Sequence, residues 1–212
     1  MRVALFGGTF DPLHRGHLRL AAAAADAFAL DRVLFAPAGR QPLKPSPATA
    51  SFADRLAMLA LALADSPDGD LDPRFAVSTL DAPHPDGAPN YTVDTLTALA
   101  RQLHGATLFV LTGADSFLTL PRWREPERLL SLAEWIVVRR PGAPLTPAFL
   151  HLPDLALLAL TPAQRARVHL LATVHEDVSS SELRRRLHSG DLCPNLLPPA
   201  VAAYIHARHL YR

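Results

Sequence analysis

Cysteine is almost absent from this sequence: Cys193 stands alone in 212 residues. A single thiol excludes an intramolecular disulfide and any zinc site built from clustered cysteines, and it fits a reducing, cytoplasmic setting. Charge of one sign is equally scarce, since 21 Lys and Arg meet 20 Asp and Glu for a net +1. No block of like charge supplies the footprint of a large nucleic-acid surface, although a local phosphate pocket stays compatible. Long hydrophobic runs are missing too. The short run Met1 to Phe6 stops at Gly7-Gly8, too brief for the core of a secretory signal, and Leu155 to Leu160 cannot span a bilayer. Neither nucleic acid nor membrane is therefore an expected partner. No repeat of fixed period is visible.

What is present is a globular composition, 49% apolar and 19% charged, long enough to bury a core without disulfides. The expectation is a single domain over residues 1–212 with a C-terminal helical part from about residue 179. Oligomeric state is not legible, and a homo-oligomer stays open. The 20 prolines gather at 37–47, 82–89, 141–147 and 194–199, which read as loops.

Strand and helix signals alternate along the chain. Arg2–Phe6, Arg32–Ala36, Phe75–Thr79, Thr107–Leu111, Glu134–Val138 and Arg167–Leu171 read as short strands. Helices are predicted over Gly16–Phe28, from an N-cap at Ser51 through Ala64, from Thr92 or Val93 to Leu103 with Gly105 closing it, and from Pro198-Pro199 through Ala207. In the second of these, Leu56, Leu59, Ala60 and Leu63 form an apolar stripe. Ser179-Ser180-Ser181-Glu182 has capping-box spacing and opens a helix to His188, ended by Gly190. The strands lack period-two alternation. That predicts an α/β fold: a Rossmann-like, doubly wound parallel sheet with helices on both faces. Such sheets bind ligands beyond the carboxyl ends of their strands, so the segments after each strand carry the functional question.

The first such segment is Gly7-Gly8-Thr9-Phe10-Asp11-Pro12-Leu13-His14-Arg15-Gly16-His17. Gly7 and Gly8 permit close backbone approach by a ligand, and the following helix start attracts an anion. Neither GxGxxG nor the P-loop pattern is present. His14 and His17, three apart, can face one ligand and donate to phosphate oxygens, with Gly16 leaving room between them. On residue chemistry alone, phosphate binding, a glycine-rich turn with two surface histidines, and a two-His metal site lacking a third ligand all stand. Far along the chain, Val178-Ser179-Ser180-Ser181-Glu182-Leu183-Arg184 places hydroxyls, backbone donors and an arginine at a helix start. That suits a triphosphate tail, and equally an ordinary capped helix with a solvated Arg184-Arg185-Arg186 face.

Together these motifs resemble the nucleotidyltransferase superfamily with the HxGH signature. GGTFDP followed by HxGH is typical of its bacterial nicotinate-mononucleotide adenylyltransferases, and the second stretch resembles their I-S-S-T-x-I-R, with Val178, Ser181 and Leu183 as the departures. Pro89-Asn90-Tyr91-Thr92-Val93-Asp94-Thr95-Leu96 resembles the P-S-Y-T-V-D-T-L of the same branch, and Gly113-Ala114-Asp115 its G-x-D. Arg140-Pro141-Gly142 also matches and reads as structural. Leu197-Pro198-Pro199-Ala200-Val201 and Leu210-Tyr211 resemble the family's last helix and tail. In the loop Gln41-Pro42-Leu43-Lys44-Pro45 the family has His-Lys, and here Leu43 stands in the His position.

The resemblance implies a reaction: nicotinate mononucleotide and ATP give deamido-NAD and pyrophosphate. Mg2+ would arrive with ATP, and no protein metal site is expected. The implied catalytic residues are His14, His17, Arg184 and Lys44. Gly7, Gly8, Gly16, Gly113 and Asp115, the backbone at Thr9 and Phe10, and Ser179 and Ser180 would hold ATP and its phosphates. Thr92, Trp123 and Arg124 would hold the nicotinate nucleotide, Trp123 by stacking. The alternatives are a related adenylyltransferase with nicotinamide mononucleotide or phosphopantetheine as acceptor, and a nucleotide-binding module without catalysis.

Overall fold

The computed structural model describes residues 1–44, 46–64, 72–138, 155, 158, 160–171 and 178–212. Pro45, the Arg140-Pro141-Gly142 match and most of the 145–165 segment lie outside these. The elements run β1 (Arg2–Gly8), α1 (Arg15–Ala27), β2 (Arg32–Pro37), α2 (Phe52–Ala64), β3 (Phe75–Val77), α3 (Thr92–Gln102) and β4 (Thr107–Gly113). They continue with α4 (Ala114–Leu118), a 3-10 turn (Leu120–Arg122), α5 (Pro126–Leu132), β5 (Glu134–Val138), α6 (Pro162–Ala166), β6 (Val168–Leu171), α7 (Ser180–His188) and α8 (Pro199–Ala207).

All six strands are parallel, in the order β3-β2-β1-β4-β5-β6. The chain starts in the middle, winds out to β3, returns to β4 and winds the other way. The order reverses between β1 and β4, and a crevice opens beyond their carboxyl ends. Both faces of the sheet are covered, which is why its strands read as continuous apolar runs. Ala4 and Phe6 pack with Ala21 and Ala25 of α1, Met58 and Leu59 of α2, Leu183 of α7 and Val201 of α8. Val3 and Leu5, between them in β1, face Leu96 and Leu99 of α3, Phe117 of α4 and Leu130 of α5. The C-terminal helices therefore complete one face of the sheet instead of standing apart from it.

Helix ends follow local chemistry. Ser51 Oγ accepts the Asp54 N–H at 3.1 Å, and Ser179 Oγ accepts that of Glu182 at 3.2 Å. The expected reciprocal half of the second box is missing, because the Glu182 carboxylate pairs with Arg185 instead. Gly190, at φ +87°, ends α7: its N–H reaches the Leu187 carbonyl at 3.0 Å and the Asp191 N–H that of Arg186 at 3.0 Å.

Three expectations need correction. Strands β1 and β4 run on through their glycines, which reads as a turn in sequence but pairs in the sheet. Residues 114–132 hold α4, a 3-10 turn and α5 where no helix was expected; Pro121, Pro126 and the left-handed Glu125 divide that stretch into pieces too short for a period to show. In α2 the buried face is Asp54, Arg55, Met58, Leu59 and Ala62: of the expected stripe Leu59 is buried and Leu63 packs on the core, but Ala60 is exposed and Asp54 and Arg55 turn inward. A helix apolar nearly all round has no preferred face in its sequence, and packing turned an arginine inward.

Candidate active site

A cavity of about 330 Å3 lies at the β1–β4 crevice. Gly7, Gly8, Lys44, Thr92, Asp115, Trp123 and Arg124 line it. Gly113 caps α4 beside it without a side chain to offer. Thr9, Phe10, His14, Gly16, His17, Ser179, Ser180 and Arg184 form a second group, around the N-termini of α1 and α7. The two groups meet where Lys44 Nζ donates to Thr9 Oγ1.

The loop after β1 is held from several sides. Phe10 adopts φ +49°, an uncommon value for a residue with a side chain. Its ring packs against Phe6, Phe35 and His17 with centroids 5.3, 5.8 and 5.2 Å away. A Cβ on Gly8 would meet that ring at 3.0 Å, so the missing side chain makes room for Phe10. His14 is buried, which excludes the reading of two surface histidines. Its ring stacks on His17 with centroids 3.7 Å apart. The His14 N–H donates to His17 Nδ1 at 3.2 Å, leaving Nε2 as the proton-bearing nitrogen of neutral His17. Two first-turn donors of α1 are already used, since the Arg15 N–H binds the Leu196 carbonyl at 2.8 Å and the His17 N–H that of His14 at 3.0 Å. The helix thus offers less of a bare donor set than its sequence implied.

Helix α7 docks on this loop. Ser180 Oγ donates to the Pro12 carbonyl at 3.1 Å, and Arg184 Nη1 to the Asp11 carbonyl at 2.7 Å. Arg185 and Arg186 instead pair with Glu182 and Asp191 at 2.5 and 2.6 Å, so the three successive arginines have separate fates. Only partial burial remains for Arg184, 31% exposed, beside the loop. Lys44 is exposed at the surface, yet desolvation of its ammonium, and then the Arg184 charge, hold it below the usual lysine range against the pull of Asp11. Lys44, Arg184 and Arg55 are thus close enough at this loop for their charges to act on one another.

The cavity walls are of another kind. Trp123 donates its indole N–H to Thr119 Oγ1 at 2.9 Å and meets the core Trp135 edge-on at 5.9 Å. Partly exposed, it is a wall and not a core residue. Thr92 begins α3 but does not cap it; Tyr91 holds the cap position without a side-chain bond. Arg124 lies over the Tyr91 ring at 4.8 Å and 3.5 Å from Asp94. Gly39 has no space for a side chain, because a Cβ there would fall 2.6 Å from Pro83 N, and its N–H binds the Asp81 carbonyl at 2.7 Å. Asn90 fastens the same crossing, accepting the Arg40 N–H at 2.8 Å and donating to the Ala82 carbonyl at 2.9 Å.

Sequence reading missed Asp81, Arg55, Asp11 and Tyr211. The Asp81 carboxyl lines the cavity and accepts from Thr95 Oγ1; burial pushes its pKa up, while Thr95 and His84 oppose. Its signal was position, just beyond the end of β3. Asp11 is buried and takes the Thr49 N–H at 2.7 Å, the Ala50 N–H at 3.0 Å and the Tyr211 hydroxyl at 2.7 Å. Burial, and then the hydrogen bond to Asp11, push the Tyr211 phenol far up, so it remains a donor. Among the described residues no three His, Cys, Asp or Glu gather as metal ligands, and no helix is long and apolar enough to cross a membrane.

Comparison with known proteins gives the family. The cytidylyltransferase-like family profile matches residues 5–186. A probable nicotinate-nucleotide adenylyltransferase of Roseiflexus sp. (strain RS-1) is 43% identical over 99% of this chain and 98% of its own length. The one from Neisseria gonorrhoeae (strain NCCP11945) is 41% identical over the same shares, 99% and 98%. Among solved structures, Plasmodium falciparum nicotinic acid mononucleotide adenylyltransferase complexed with NaAD superposes with a TM-score of 0.77, covering 99% of this chain and 97% of that one. At 17% identity that likeness speaks for the fold.

Proposed function

The chain belongs to the cytidylyltransferase-like family, and from that premise we propose how its site works as a nicotinate-nucleotide adenylyltransferase of NAD biosynthesis. The carrying observation is the junction of the two groups: Gly8 and Lys44 line the aromatic-walled cavity, and Lys44 also bonds Thr9 of the loop that Arg184 holds and that leads into His14 and His17. One part suits a pyridine nucleotide, the other a polyphosphate.

In the reaction, an oxygen of the acceptor's 5′-phosphate forms a bond to the α-phosphorus of ATP. The bond from that phosphorus to the bridging oxygen of the β-phosphate breaks, and pyrophosphate leaves with the electron pair. The attacking oxygen is already anionic at neutral pH, so positioning and charge stabilisation are the protein's task. No protein nucleophile is needed. Cys193 fits that account, since burial, and then the Asp191 charge, push its thiol up and disfavour the reactive thiolate.

His17 Nε2–H and the His14 ring donate to the reacting and leaving phosphates. Backbone donors near Thr9 and Phe10 hold the acceptor phosphate and the α-phosphate. Ser179, Ser180 and Arg184 serve the β- and γ-phosphates, and Lys44 closes over them from its loop. Asp115 meets the ribose. Thr92, Trp123 and Arg124 receive the nicotinate ring and its carboxylate. Mg2+ bound with ATP would neutralise phosphate charge, and the Asp11 carboxylate would not be a ligand for it, being already taken by two N–H groups and a hydroxyl. The enzyme works in the cytoplasm on soluble substrates.

Pyrophosphate release with Mg-ATP, compared across nicotinate mononucleotide, nicotinamide mononucleotide and phosphopantetheine, tests this. The nicotinate substrate is expected to have the highest kcat/KM. Preference for another acceptor would overturn the substrate, and no release with ATP still bound would point to a binding module.

A further inference from the structure

Arg55 stands beneath the loop after β1, and nothing in the reaction as described uses it. Its side chain is 2% exposed, and its Nε is buried with no hydrogen-bond partner among the described residues. Burying a guanidinium is expensive, and an apolar side chain of similar size would pack at α2 for less. Its compensation lies in what it holds. Nη1 donates to the Thr9 carbonyl at 2.7 Å. The Thr9–Phe10 peptide is trans, so its C=O and its N–H point in opposite directions. An arginine that fixes the Thr9 oxygen toward α2 therefore turns the Phe10 N–H away from α2. Phe10 cannot relax freely, because its ring is locked among Phe6, Phe35 and His17 while its backbone sits at φ +49°. Two further carbonyls of the loop are held in the same manner, that of Asp11 by Arg184 and that of Pro12 by Ser180. The Asp11 carboxylate, anchored to residues 49 and 50 and to Tyr211, supplies a negative charge that acts on Arg55.

We infer that Arg55 is a positioning residue for adenylyl transfer: by clamping the Thr9 carbonyl it aims the Phe10 N–H at a nonbridging oxygen of the α-phosphate. The inference rests on the adenylyltransferase reading and adds to it a residue that touches no substrate. A donor aimed at one of two nonbridging oxygens distinguishes them, and a loosened donor does not.

The test uses the two diastereomers of ATPαS, in which sulfur replaces one or the other nonbridging α-oxygen. Turnover with each is measured for the wild type, Arg55→Lys and Arg55→Met. The ratio of the two rates is independent of how much of a preparation is folded, so a merely structural role leaves it unchanged. The wild type is expected to prefer one diastereomer. Arg55→Met should lose turnover with ATP on the order of a hundredfold, the scale of one misplaced oxyanion donor, and bring the ratio toward one. Arg55→Lys, keeping the charge without the fork, should fall between. A wild-type ratio in either variant overturns the inference, as does a wild type indifferent to the diastereomers. Should Arg55→Met not fold, Arg55→Lys decides by the same criterion. A wild type inert toward nicotinate mononucleotide counts instead against the substrate reading, and the ratio is then taken with whichever acceptor releases pyrophosphate.

Discussion

The two halves of the site are built on opposite plans. The loop at residues 9–14 is overdetermined: Arg55, Arg184, Ser180 and Lys44 each bond a different atom of it, Leu196 holds the N–H of Arg15 just after it, and Asp11 anchors it to Tyr211 near the chain terminus. The cavity rim is held less tightly than its floor, where Trp123, Asp81 and Asn90 are hydrogen-bonded. Leu43, Lys44 and Arg124 are exposed, and the last is engaged by ring and ion-pair contacts at the surface. Charge that develops only in the transition state is stabilised best by donors that do not have to move. A ring that must enter and leave is better served by walls that can adjust. Loop variants should therefore change kcat, and wall variants KM and selectivity.

The largest effect is expected from His17→Ala. It removes a donor from the rigid half, and turnover should fall by about two to three orders of magnitude, while circular dichroism stays near wild type and melting falls only by the loss of the contacts to the His14 N–H and the Phe10 ring. An unchanged rate would break the comparison at its centre. Trp123→Ala tests the other half: KM for nicotinate mononucleotide should rise roughly tenfold, the scale of one aromatic contact, with little change in kcat. Lys44 sits at the junction. Its depressed pKa means the positive charge is present at low pH and lost as pH rises through a value below the usual lysine range, so kcat/KM for ATP should decline early on the alkaline side. Lys44→Arg, charged throughout, should move that decline upward; a superimposable profile would remove Lys44 from phosphate binding. The smallest effect belongs to Arg124→Ala, which should narrow the preference for nicotinate over nicotinamide substrate by a few-fold, on the order of one exposed ion pair. An intact preference would leave Arg124 as a surface partner of Tyr91 and Asp94.

Much of the fold was legible because both sheet faces are buried. Glu134–Val138 matches its predicted strand, and Ser51 and Ser179 begin helices as their hydroxyls suggested. Hidden were the elements whose cues are too short, such as α4 and α5, and the groups that act through distant partners. Asp11 lies within the signature loop yet shows its role only beside Tyr211, 200 positions away. Asp81 carries no local cue, and only the cavity shows where it stands.

By itself the sequence determined the alternating elements, the parallel sheet and the helix starts after Gly7-Gly8 and at Ser179, since apolar runs, caps and glycine loops act over a few neighbouring residues. The tertiary structure alone decided which face of α2 turned inward, which of three arginines reached the loop, and which carbonyls were clamped. Those outcomes depend on distant groups meeting in a desolvated space, where the cost of burying a charge is set by its partners and not by its neighbours in the chain.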